Sequence, residues 1–281
     1  MKILIWNMEY WNNFNKLGWI EKCKNTLSSI IHEYTIDFVL LQETNPFGLF
    51  DIKYDLKKPY QYKNNSDNYT ILYHELYEEL PIKYKKNPWG NSIIFNKEIK
   101  DYSKNIDYYD KKNYYGRNGL MCYTFIFEEK KITLINFYNK YDHEERSYTM
   151  LDNSHFKIKN DLESIVKQNN NLIIFSGDFN TGSNNVDKIH IYRYTNLCEK
   201  LDKFVDVSCG DPKYNINTTF WYNKRKKEGI LLRNDFCFIN DENFVKSHKA
   251  IFPDNSKWEG EKIKKWNGLS DHCPIIVDFD L

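Results

Sequence analysis

The sequence has no Cys-x-x-Cys pair and no Cys/His cluster at zinc-ligand spacing, although six cysteines stand at 23, 122, 198, 209, 237 and 273. That argues against a thiolate zinc site, and Cys122 and Cys237, inside apolar runs, are expected to be buried free thiols. Net charge is also nearly absent: 40 Lys and Arg face 39 Asp and Glu, a formal +1. No global basic field marks the chain for nucleic acid, and a local basic groove is left open. A long apolar run is missing too. Met1-Lys2-Ile3-Leu4-Ile5-Trp6 stops at Asn7, too short for a signal-peptide core or a membrane span. No internal repeat, low-complexity linker or Pro/Gly-rich boundary divides the chain. The expectation is a soluble cytoplasmic monomer, one domain over residues 1–281, with no stable protein partner and no membrane segment.

What is present is core material. Hydrophobic residues make up 41% of the chain and aromatics 17%, ample material for a core, which argues against disorder. Residues 2–6 read as a strand, and Leu17, Ile20, Leu27, Ile30 and Ile31 are spaced for an amphipathic helix over 16–33. Residues 37–43 are a buried strand that finishes on Gln42-Glu43. Residues 44–88 are poorly patterned apart from a strand at 69–73. Further strands are expected at 91–95, 120–127, 132–138, 172–175, 204–207, 218–222, 230–239 and 274–279, with Asp235 in the middle of the 230–239 strand. Helices are expected at 144–166 and 189–201. Strands outnumber helices, which suits two packed sheets with flanking helices.

Polar residues gather at the strand ends. Leu172-Ile173-Ile174-Phe175 feeds Ser176-Gly177-Asp178-Phe179-Asn180, which delivers an anion and an amide to a sheet edge. Asp178 suits proton acceptance or cation binding, and Asn180 suits donation to an oxyanion. The same residues are also ordinary turn formers. The other strand ends decide between these readings. Asn7, Glu43, Asp235, Asp271 and His272 lie at or near such ends, and a carboxylate there is costly without a cation or hydrogen bonds. The set is hard and oxygen-rich, suited to Mg²⁺ or Mn²⁺ and not to zinc. Its natural use is hydrolysis of a phosphate ester.

Trp6-Asn7, Leu41-Gln42-Glu43-Thr44, Gly177-Asp178-Phe179-Asn180 and Ser270-Asp271-His272-Cys273-Pro274-Ile275 follow one another as in the endonuclease/exonuclease/phosphatase superfamily. The chain resembles that superfamily from end to end, and the Ser-Asp-His-Cys-Pro-Ile segment is its most specific match. The resemblance implies a deoxyribonuclease I-like, four-layered α/β sandwich of two facing mixed sheets flanked by helices. It implies that Glu43 is the principal metal ligand, with Asn7 and Asp271 beside it and Glu9 in a supporting metal role. Asp178 would orient or deprotonate the water, Asn180 would contact the phosphate, and His272, held by Asp235, would donate to a phosphate oxygen.

Tyr138, in Ile135-Asn136-Phe137-Tyr138, stands where deoxyribonuclease I carries His and the exonuclease III/AP endonuclease branch carries Tyr. Thr219-Phe220-Trp221 resembles the aromatic segment by which that branch contacts an abasic nucleotide. Asn139-Lys140-Tyr141 and Leu232-Arg233-Asn234 depart from the branch pattern. Several residues carry two readings each. Tyr138 is a packed strand tyrosine or a catalytic one, and Trp221 is core or a base-stacking surface. Arg117 and Lys224-Arg225-Lys226-Lys227 grip a phosphate or project into solvent. The leading expectation is an Mg²⁺-dependent nuclease or DNA-repair enzyme. The alternatives are a phosphoesterase for sphingomyelin or an inositol phosphate, and an inactive binding module.

Overall fold

Seventeen of the elements below follow from two periodicities: alternation in the strands and a 3.6-residue period in one long helix. In this computed structural model the described residues are 1–9, 16–50, 61–65, 69–75, 90–96, 119–138, 160, 163, 171–180, 195–207, 219–223, 228–247, 258–259 and 265–281. The strands are β1 (Lys2–Asn7), β2 (Phe38–Thr44), β3 (Gln61–Asn65), β4 (Tyr69–Glu75), β5 (Gly90–Asn96), β6 (Gly119–Phe127), β7 (Lys130–Tyr138) and β8 (Leu172–Asp178). They continue with β9 (Val205–Asp206), β10 (Thr219–Asn223), β11 (Glu228–Leu232), β12 (Asp235–Ile239), β13 (Val245–Ser247), β14 (Trp258–Glu259), β15 (Lys265–Trp266) and β16 (Ile275–Phe279). The long helix is α1 (Trp19–Tyr34).

Two mixed sheets result, with strand orders β13-β16-β1-β2-β5-β4-β3 and β6-β7-β8-β12-β9. Both contain one parallel pair flanked by antiparallel neighbours: β1/β2 between β16 and β5, and β7/β8 between β6 and β12. The parallel pairs end at matching heights, Asn7 opposite Gln42 and Tyr138 opposite Asp178. One end of the sandwich therefore collects polar residues from both sheets.

Alternation assigns each strand face to a layer. Ile3, Ile5, Phe38, Leu40, Ile93 and Phe95 meet Tyr123, Phe125, Leu134, Ile174 and Cys237 between the sheets. Leu4, Trp6, Val39 and Leu41 point the other way, onto Trp19, Cys23, Leu27 and Ile30 of α1. On the outer face of the second sheet, Ile135, Phe137, Phe175, Phe179 and Phe236 pack with Leu197 and Leu201, which belong to and follow the helical residues 195–200. The layers run helix, sheet, sheet, helix, as the expected α/β sandwich requires. Cys122 and Cys237 are buried free thiols, as expected. No described helix is long and apolar enough to cross a membrane.

One expectation is corrected. Residues 230–239 are not one strand: β11 ends at Leu232 and β12 begins at Asp235, so Asp235 opens its strand instead of sitting in its middle. The break has a physical cause. Arg233 turns inward, 3% exposed, to bond Asp206 Oδ2 at 2.6 Å and to lie over the Phe236 ring. Asn234 O meanwhile accepts the Phe179 N–H at 2.8 Å. β10 and β11 form a separate two-stranded ribbon. Of the expected 144–166 helix only residues 160 and 163 are described, both helical, and the rest lies outside the described residues.

Candidate active site

The site is assembled at the shared end of the two parallel strand pairs. Asn7 closes β1, and its Nδ2 donates to Asp178 Oδ2 at 2.8 Å, joining the two sheets. Its Oδ1 accepts the Glu9 N–H at 2.9 Å. Strand parity would aim Glu43 outward with Val39 and Leu41, towards α1. A bulge intervenes: Leu41 pairs with Ser92 but Thr44 pairs with Gly90, so β2 carries one extra residue, and Glu43 takes φ 45. Such a bulge re-aims a side chain. Glu43 is turned to receive hydrogen bonds from Tyr138 and Asn7.

Asp178 ends β8. It accepts the Asn180 N–H on Oδ1 at 2.9 Å and the Asn180 amide on Oδ2 at 3.1 Å. The turn reading and the functional reading of this stretch therefore coexist. Gly177 is required by space: at φ 143, a Cβ would lie 1.9 Å from Phe137 O. Asp235 sits directly across from Asp178 on β12. Glu9, Glu43 and Asn180 all have positive φ without being glycine. Backbone strain of this kind concentrates at functional sites.

Asp271 and His272 come from the turn before β16. Trp6 Nε1 donates to His272 O at 3.0 Å, and Ser270 Oγ donates to Asn7 O at 2.7 Å while accepting the His272 N–H at 3.1 Å. These bonds aim the imidazole. His272 Nδ1 lies 3.1 and 2.9 Å from the two oxygens of Asp235, and Nε2 lies 3.8 Å from Asp178 Oδ2 and 3.7 Å from Asp271 Oδ1. Burial opposes the imidazolium, but Asp235, Asp178 and Asp271 outweigh it and hold the His272 pKa well above the ordinary value. Burial raises Asp178 up to about 8, helped by Asp235 and opposed by His272, the Asn180 N–H and the Asn7 amide. Asp271 is likewise raised, to about 7, by burial and then by Glu9, with Glu43 adding to it. Burial also raises Glu43, against the Tyr138 hydrogen bond.

The described residues thus bring together nine of the eleven that the sequence singled out: Asn7, Glu9, Glu43, Tyr138, Asp178, Asn180, Asp235, Asp271 and His272. Tyr138 is buried, and its hydroxyl serves Glu43, so the packing and functional readings both apply. Trp221 lies on β10 opposite Ile230, and its side chain falls outside the described residues. Arg117, residues 139–141 and Lys224 to Lys227 also fall outside them. Two neighbours went unnoticed in the sequence. Asn136 reaches across the sheets, and Lys265 forms an ion pair with Glu9. Lys265 carried no motif signal, and Asn136 stood in the quoted segment only as a neighbour of Tyr138.

A cation fits one side of this site. Asp271 Oδ1 is buried and accepts no hydrogen bond, and the carboxylates of Glu9 and Glu43 lie near enough to act on its charge. An orphaned buried carboxylate oxygen among hard ligands is what a divalent ion would satisfy. Asp178, Asp235 and His272 also bring ligand atoms within 4.8 Å of one another. There, however, Asp235 is engaged by His272 Nδ1 and Asp178 by two amides, so that group is a hydrogen-bonded His–carboxylate cluster.

The model of the Endonuclease/Exonuclease/phosphatase family matches residues 14–272. The chain belongs to that family. Its members typically hydrolyse phosphate esters and generally depend on a divalent metal. An endonuclease/exonuclease/phosphatase family protein from Leptotrichia buccalis C-1013-b is 20% identical, with all of both chains covered and a TM-score of 0.63. The structure of D. rerio TDP2 complexed with a single-strand DNA product is 18% identical over 100% of this chain and 99% of that one, with a TM-score of 0.61. The human Nocturnin catalytic domain with a bound sulfate anion is 14% identical over 99% and 92%, with a TM-score of 0.65. At these identities the solved structures show the shared fold. A search of curated proteins finds no match.

Proposed function

We propose that this chain is an Mg²⁺-dependent phosphodiesterase that hydrolyses a P–O bond with water as nucleophile, acting on DNA as a nuclease or repair endonuclease/exonuclease through one domain, 1–281. The observation that carries this reading is the His272–Asp235 pair, whose Nε2 faces Asp178 at 3.8 Å beside the unsatisfied Asp271 Oδ1. A general base, a charged donor and an oxygen ligand set then flank one small volume.

Asp178 orients the attacking water and takes its proton on a carboxylate oxygen; burial raises its pKa to about 8, and His272, the Asn180 N–H and the Asn7 amide act against that rise, towards the ionised form. Asp235 fixes the proton on Nδ1 of His272, so Nε2–H points at the phosphate and stabilises its developing charge. Asn180 donates its amide to a phosphate oxygen. Tyr138 holds the Glu43 carboxylate. Glu43, Asp271 and Asn7, with Glu9 beside them, would hold Mg²⁺, or Mn²⁺ in its place, which supplies charge neutralisation at the phosphate.

DNA is favoured over a lipid by Tyr138, by the Thr219-Phe220-Trp221 run on β10 and by the basic segment Lys224 to Lys227. The single-strand DNA product held by the TDP2 structure supports the same substrate class. The test is cleavage of labelled plasmid, single strand, abasic duplex and RNA, with sphingomyelin and a phosphoinositide alongside, in Mg²⁺ or EDTA. Metal-dependent DNA cleavage is expected. Intact DNA with a hydrolysed lipid or inositol phosphate would overturn the substrate and keep the chemistry.

A further inference from the structure

Arg233 stands two residues before Asp235, yet the two side chains lie on opposite faces of the second sheet. Cys237 and Ile239 fill the space between the sheets, and Asp235, on their face of β12, meets His272. Phe236 and Phe238 occupy the outer face. Strict alternation would put Arg233 on the inner face with Asp235. Instead its guanidinium carbon lies 4.4 Å from the centroid of the Phe236 ring, and its Nη2 pairs with Asp206 Oδ2 at 2.6 Å. Asp206 is the β9 residue opposite Phe238, so the arginine ties the entry of β12 to the strand that borders it farther along. The change of face falls at Asn234, whose carbonyl accepts the Phe179 N–H at 2.8 Å.

A strand entered one residue out of phase presents its side chains to the wrong faces. At β12 such a slip would withdraw Asp235 from His272 and offer Asn234 or Phe236 in its place. Asp235 opposite Asp178 is the last pair of the β8/β12 ladder, so no further pairing between those strands fixes the residues before it. Resting on the hydrolase reading above, we infer that Arg233 is a positioning residue of the catalytic centre. Its pair with Asp206 fixes the phase in which the chain enters β12, so that Asp235 meets His272 Nδ1. The two side chains keep only 4% and 10% of their exposure, which makes the pairing obligatory. Arginine suits the task because its planar fork both pairs with a carboxylate and stacks on a ring, and lysine does only the first.

The experiment replaces the pair with apolar residues, Arg233→Met/Asp206→Leu, because such an exchange of a buried ion pair often preserves stability. A pair that serves stability alone would then be dispensable. For a positioning pair, the melting temperature should stay near wild type while kcat for DNA cleavage in Mg²⁺ falls about a hundredfold at unchanged KM. A second readout needs no substrate: the NMR resonance of the His272 Nδ1 proton in protein with isotope-labelled histidine, assigned by its loss in His272→Gln. It is expected far downfield in wild type and displaced or exchanged away in the double variant. If that variant does not fold by circular dichroism, Arg233→Lys keeps the buried charge paired and carries the same two readouts, with a smaller change expected in each. An unmoved Nδ1 proton in the folded variant overturns the inference, and so does wild-type kcat. Wild-type protein that leaves DNA intact, with the Nδ1 proton displaced in the variant, would instead sink the DNA reading and keep the inference.

Discussion

The Gln42 side-chain amide donates to Asn136 Oδ1 at 2.6 Å across the space between the two sheets. Asn136 in turn donates to Leu41 O at 2.9 Å and to Ser92 O at 2.8 Å. Leu41 and Ser92 are the last regular pair before the bulge that turns Glu43. One amide from the second sheet thus satisfies the carbonyls beside the irregular step in the first. Asn136→Ala strips both carbonyls of their donor in the core and should destabilise the fold by about 2–4 kcal/mol. It should also weaken Mn²⁺ binding by about tenfold through Glu43. Urea unfolding and Mn²⁺ titration check the two halves, and unchanged values for both would detach Asn136 from the site.

Gly177 carries a sharper constraint. Its φ of 143 and the 1.9 Å approach to Phe137 O leave no room for a Cβ. Gly177→Ala must push β8 from β7, next to Asp178. A loss upward of about 3 kcal/mol is expected, within the range reserved for overpacking combined with backbone strain. Thermal melting of the variant measures it, and a melting temperature near wild type would contradict the close approach.

Tyr138→Phe removes the hydroxyl that Glu43 accepts from and leaves the buried ring in place. Stability should change little. Metal affinity or turnover should fall by about 10- to 100-fold, the usual cost of losing a group that orients a ligand. A variant with wild-type kcat and metal affinity would return Tyr138 to a packing role alone.

The metal-free protein should lose stability as pH rises. Asp178 and Asp271 are raised, to about 8 and about 7, and His272 is also raised. A group whose folded pKa lies above its unfolded one stabilises fully below the unfolded value and loses that contribution as pH climbs through the folded value. For Asp178 the window runs from about pH 4 to about pH 8. In EDTA, the melting temperature of Asp178→Asn relative to wild type should therefore increase from pH 5 to pH 8. A difference that is flat or falls with pH would contradict the reversed titration.

The anchors of the site were legible because each lies at the end of a strongly apolar strand. Asn7, Glu43 and Asp178 are polar residues where a hydrophobic run stops, His272 stands just ahead of one, and that contrast survives in one dimension. What bends them together does not. The bulge at Glu43 is invisible to alternation, which assigns that side chain to the wrong face. Residues 230–239 read as one strand because apolar residues flank Arg233-Asn234 on both sides, and the contacts of Arg233 with Asp206 and the Phe236 ring that break it there come from distant positions. Lys265 and Glu9 are separated by 256 positions, and no local pattern links them. The repeated pairing pattern of the two sheets belongs in the same class: it is plain in the strand order and absent from the residues.

The most direct test compares single-turnover DNA cleavage by wild type and by Asp178→Asn/His272→Ala, in Mg²⁺ and in EDTA. Cleavage is expected to require Mg²⁺ and to fall by at least about a thousandfold in the variant, the scale of losing both a general base and a charged donor. Mn²⁺ titration of the variant should still detect a bound ion, since Glu43 and Asp271 remain. Cleavage that persists in the variant at the wild-type rate, or that ignores EDTA, would contradict the assignment of the His272–Asp235–Asp178 cluster as the catalytic centre.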